Sequence, residues 1–85
     1  MIKNQTKNNM KSYIKKIKSA NSKDELNAIT YDALKALGIS SKQYDNLIGY
    51  AVCREIELGI WEHLNHYPNK EIALKMAQKE FKIKY

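Results

Sequence analysis

The chain has 85 residues with an apolar share of 44%, enough for one domain with a modest core and too apolar for a disordered chain. Three glycines and one proline disfavour a turn-rich all-β design, and the single cysteine, Cys53, excludes an internal disulfide and a cysteine-rich zinc site. The net charge of +6 is uneven, with residues 1–23 at +7, residues 24–69 at −4 and residues 70–85 at +3, and basic ends of this kind attract polyanions, nucleic acid first.

Residues 1–8 are polar and basic and read as a disordered arm ahead of a single helical domain over 9–85. Apolar residues recur at helical spacing almost throughout that domain. The expected fold is all-α, a compact bundle of three or four helices. Helix one is expected from about Asn9 to Ala20, with Met10, Tyr13, Ile14 and Ile17 as its apolar stripe. Lys11, Lys15 and Lys18 are spaced three and four apart and share its outer face. Like charges there cost helix stability unless an anion, or the acidic middle of the chain, neutralises them.

Ser22 and Glu25 have capping-box spacing and open a second helix over Lys23–Leu37. Its expected core face is Leu26, Ile29, Ala33, Leu34 and Leu37. Gly38 stops it, and Ser40 with Gln43 repeats the capping box for a third helix starting near Ser41. Ile39 and Tyr44 stand at the positions of a hydrophobic staple. Tyr44, Leu47, Ile48, Ala51, Val52 and Ile56 point one way along this helix. Gly59 either ends it or bends it, and continuation to about Asn65, with Ile56, Ile60, Leu64 and Tyr67 as one stripe, is the preferred expectation. Beyond Pro68, Asn69 caps a last helix from Lys70 to about Phe81, with Ile72, Ala73, Met76, Ala77 and Phe81 as its core face. The tail after Glu80 alternates apolar and charged residues, which suits an added strand or a frayed helix end.

The Leu37-Gly38-Ile39 junction followed by Tyr44 and Leu47 resembles DNA-binding helix-turn-helix units, with Leu34 in place of the usual small residue four before the glycine. In such a unit Lys42, Gln43 and Asn46 stand near the start of the second helix, where side chains meet base edges or phosphates. Gln43 cannot fully serve both the cap and a base, and Asp45 in the same turn repels phosphate. One arginine against fourteen lysines also argues against base-specific reading, because bidentate contacts to guanine favour arginine. Plain helix packing explains the same junction.

Glu62, His63 and His66 are the only metal-like grouping and lack a third strong ligand, so no metal or other cofactor is expected. Cys53 lies beside an apolar face without a base in motif form, and no phosphate-cradling loop or nucleophile motif occurs. An enzyme is not expected. No apolar run reaches the roughly 20 residues of a membrane span. The residues after Met1 have no signal-peptide character, so the cytoplasm is the expected location.

The run Lys23-Asp24-Glu25-Leu26 through Ile29-Thr30-Tyr31-Asp32-Ala33, together with Tyr44-Asp45 and Arg54-Glu55-Ile56-Glu57-Leu58-Gly59, resembles small helical accessory proteins of phages, plasmids and cassette elements of Gram-positive bacteria. The resemblance covers roughly residues 10–60 and extends to the middle proteins that accompany polymerase-like primases of staphylococcal cassette elements. It implies an accessory subunit that binds a replication enzyme and helps it hold single-stranded DNA. The expected function is therefore a non-catalytic protein that contacts the DNA backbone and docks on a protein partner. Trp61, Phe81 and Tyr85 are the candidate partner-binding residues. The alternative is a pure protein-interaction module, such as an encoded inhibitor or regulator, without DNA contact.

Overall fold

The computed structural model describes residues 5–85, with side chains from Met10 onward. Among these, the elements are α1 (Gln5–Ser19), α2 (Lys23–Leu37), α3 (Ser41–Leu58), a single 3₁₀ turn at Leu64–His66 and α4 (Lys70–Phe81). The all-α expectation holds. Helix α1 begins four residues ahead of Asn9, so residues 5–8 of the expected arm are helical, and residues 1–4 lie outside the described residues.

The caps form where local chemistry asks for them. Ser22 Oγ accepts the Glu25 N–H at 3.1 Å, while the Glu25 carboxylate turns back to the Asn21 N–H rather than that of Ser22. At Ser40 the box is reciprocal, with Oγ accepting the Gln43 N–H at 3.2 Å and Gln43 Oε1 accepting the Ser40 N–H at 2.9 Å. Asn69 Oδ1 accepts the Ile72 N–H at 2.9 Å. Gly38 takes φ 56°, and its N–H donates to Leu34 O, closing α2. Each such cap stabilises its helix by about 1 kcal/mol.

Gly59 ends α3 instead of bending it. Its φ is 75°, its N–H donates to Ile56 O at 3.0 Å, and the next N–H, of Ile60, donates to Glu55 O at 3.0 Å. These two bonds satisfy the last carbonyls of the helix, so continuation to Asn65 offers it nothing. The chain then crosses to α4 through a loop in which Trp61 and Tyr67 stack, with ring centroids 5.7 Å apart.

Helix α3 is the axis of the fold. The packed helix pairs are α1 on α2, both of these on α3, and α4 on α3. Ile17, Ala20, Leu26, Ala33, Ile39, Leu47 and Ala51 form one buried cluster between α1, α2 and α3. Cys53, Ile56, Ala73 and Ala77 form a second, between α3 and α4. Full burial of Ile17, Leu26, Leu47 and Ile56 removes large aliphatic side chains from water, worth about 1.5–3 kcal/mol each. The molecule is elongated, 46 × 24 × 18 Å.

Two expected core faces hold only in part. On α2, Leu26 and Ala33 are buried and Ile29 and Leu37 pack against their cluster, but Leu34 is 37% exposed and Thr30 is buried in addition. Thr30 satisfies its hydroxyl on the carbonyls of Leu26 and Asn27, so its polarity is no barrier to burial. On α4, the buried residues are Ala73 and Ala77, while Ile72 and Met76 are exposed. The two alanines let α4 lie close against α3. The tail is neither a strand nor a frayed helix end. Lys82 takes φ 55°, the Ile83 N–H donates to Gln78 O at 3.0 Å, and the chain folds back along α3.

Candidate nucleic-acid interface

Lys11, Lys15 and Lys18 are exposed on one side of α1 and line a single shallow groove with Ser12 and Ile14. Ile17 and Ala20 hold the opposite side of the helix in the core. Among the described residues, the lysine and arginine ion pairs are Lys23–Glu62 at 3.5 Å and Arg54–Glu57 at 3.1 Å, and neither involves the α1 groove. The acidic middle of the chain therefore leaves these lysines unneutralised. Asp32 instead accepts the Tyr13 hydroxyl at 2.8 Å. That bond is the main cause that holds the Tyr13 hydroxyl above its ordinary pKa.

Lys42 and Asn46 stand apart from that groove. They share a second one with Asp45, Glu80, Phe81 and Lys82, where two carboxylates offset the lysines. Gln43 is bound into the Ser40 cap. Helices α1, α2 and α4 pack on α3, and the exposed positions of its first turns are Ser41, Lys42 and Asp45. The only arginine is also committed. Arg54 Nε donates to Ala20 O at 2.8 Å, closing the C-terminal end of α1, and its guanidinium meets Glu57.

The three candidate partner-binding aromatics are half-buried, each with an internal contact. Trp61 is half-buried against Tyr67 and edge-on to His63, at 5.5 Å. Phe81 packs on Gly49. Tyr85 donates its N–H to Gln78 Oε1 at 3.0 Å and its hydroxyl to Glu57, and its ring lies 6.3 Å from that of Tyr50. Burial, then the Glu57 carboxylate, pushes the Tyr85 hydroxyl well above its ordinary range. The exposed apolar residues are instead Tyr31, Leu34, Ile60, Ile72 and Met76.

Lys18 Nζ sits 5.2 Å above the Tyr85 ring. This contact brings the two basic ends of the sequence together, because Lys82 and Lys84 belong to the same tail. Spacing rules cannot foresee it, since it joins residues 67 apart in the chain. Cys53 is fully buried, and burial together with Glu57 pushes its thiol up to about 11. Among the described residues, no group of three or more His, Cys, Asp or Glu side chains could hold a metal ion. Among the same residues, no helix is long and apolar enough to cross a membrane. Comparison with protein-family models, with characterised proteins and with solved structures finds no match to this chain.

Proposed function

We propose that this protein is a non-catalytic, nucleic-acid-associated accessory protein that holds the DNA backbone on its α1 lysine face. One observation carries the reading: Lys11, Lys15 and Lys18 surround one exposed groove, and no carboxylate pairs with them among the described residues. Phosphates relieve the repulsion that this spacing builds in. The reading is of backbone rather than bases, because Arg54 and Gln43 are already bound internally. The resemblance of residues 10–60 to accessory proteins of mobile elements supports a second contact, with a replication or regulatory protein in the cytoplasm.

The test is a titration of labelled single- and double-stranded DNA at several salt concentrations, with the wild type and a Lys11→Ala, Lys15→Ala, Lys18→Ala triple variant. The wild type is expected to bind at low salt. The triple variant is expected to flatten the slope of log affinity against log salt by about 2–3, the counterions of three phosphate contacts. Equal slopes would remove the α1 face from the interface. The exposed Ile72 and Met76 on α4 favour a second reading, a protein-interaction module without DNA contact. Absence of binding at low salt decides for that reading.

A further inference from the structure

The tail is turned back at a local cost and held by side chains. Lys82 occupies the left-handed region at φ 55°, which strains a residue with a Cβ. Four contacts then anchor Tyr85: Gln78, Glu57, the Tyr50 ring and Lys18. Helix α4 packs on α3, and the tail beyond it meets α1 at Lys18. Within the α1 triad, Lys18 has this internal partner, whereas Lys11 and Lys15 take part in none of the ion pairs or ring contacts among the described residues.

We infer that the tail and a bound polyanion compete for Lys18, so that Lys82–Tyr85 is a built-in brake on the α1 face. The inference rests on the polyanion reading above. An exposed ammonium resting on a half-buried ring is held weakly. A phosphate oxygen at hydrogen-bond distance is the stronger partner. Drawing Lys18 to a phosphate lifts it from the ring and takes one anchor from Tyr85. By linkage, loosening Tyr85 frees Lys18 for the phosphate.

The experiment is anisotropy titration of a short fluorescein-labelled DNA duplex at low salt. Tyr85→Ala is expected to bind about two- to five-fold tighter than the wild type, the span of an exposed cation–π contact. Tyr85→Phe keeps the ring over Lys18 but loses the hydroxyl bond to Glu57, and its affinity is expected to fall between those of the wild type and Tyr85→Ala. In a Lys18→Ala background, Tyr85→Ala changes nothing. Hydrogen exchange at the Ile83 and Tyr85 amides is expected to quicken when the duplex is bound. If the wild type binds and Tyr85→Ala binds equally or more weakly, the brake is overturned and the polyanion reading stands. If the wild type does not bind, both fall.

Discussion

A Cβ placed on Gly49 of α3 would lie 2.5 Å from Cβ and 2.8 Å from Cγ of Phe81 at the end of α4. No neighbour can sit that close, so the absence of a side chain at Gly49 sets how near the two helices come. Ile83 Cδ1 also lies 3.1 Å from that position, which ties the tail to the same contact.

Gly49→Ala is therefore expected to destabilise the protein. In an open helix the change would add about 1 kcal/mol through propensity. Here overpacking against Phe81 costs about 1–3 kcal/mol and outweighs it. Urea unfolding should show a lower midpoint for Gly49→Ala, and a smaller loss when Phe81→Gly, which removes Cβ and Cγ alike, is also present. An equal loss in both backgrounds would mean that Phe81 is not what the methyl group meets.

The Ser40–Gln43 box makes a prediction that separates folding from recognition. Ser40→Ala should lower stability by about 1 kcal/mol. Gln43→Ala should lower it by a smaller amount and leave DNA binding unchanged, because its carboxamide holds the Ser40 N–H. A change in sequence preference on mutating Gln43, without loss of stability, would contradict this role.

Glu55 is 7% exposed, and burial raises its carboxyl pKa, with Glu62 adding to the rise and Lys23 opposing it. A carboxyl raised in the folded state favours its protonated form there. Its charged form therefore weakens the fold above the folded pKa, and the penalty fades as pH falls toward the ordinary value near 4.5. Glu55→Gln should be more stable than the wild type at pH 7, and the gain should shrink in acid. Denaturant midpoints at the two pH values check the sign.

The Cys53 thiol, buried and pushed up to about 11, is protonated at neutral pH. A thiol reagent should label it slowly in the native protein and rapidly in urea. Rapid native labelling would show that the α3–α4 contact opens readily.

What the sequence announces here is local. Ser22, Ser40 and Asn69 cap their helices and Gly38 stops one, because those interactions span three or four residues. The lysine stripe of α1 is legible for the same reason. Faces are harder: Ile72, Ala73 and Leu74 are consecutive and apolar, so periodicity alone does not decide that Ala73 and Ala77 turn inward. Gly49 carries no local signal, since its role is set by Phe81 from another helix. The Lys18–Tyr85 contact and the Arg54 bond to Ala20 are likewise tertiary.

Helix α3 buries Leu47 and Ala51 toward one cluster, Cys53 and Ile56 toward the other, and Gly49 and Glu55 as well. Freedom to vary is thus distributed very unequally along the chain. Most substitutions within α3 disturb one of the two clusters, whereas Lys11 and Lys15 on the outer face of α1 can be exchanged for other polar residues without touching either; Lys18 differs, because it lies over Tyr85, which packs on the second cluster. Selection can therefore retune the charge of that face while the scaffold stays fixed.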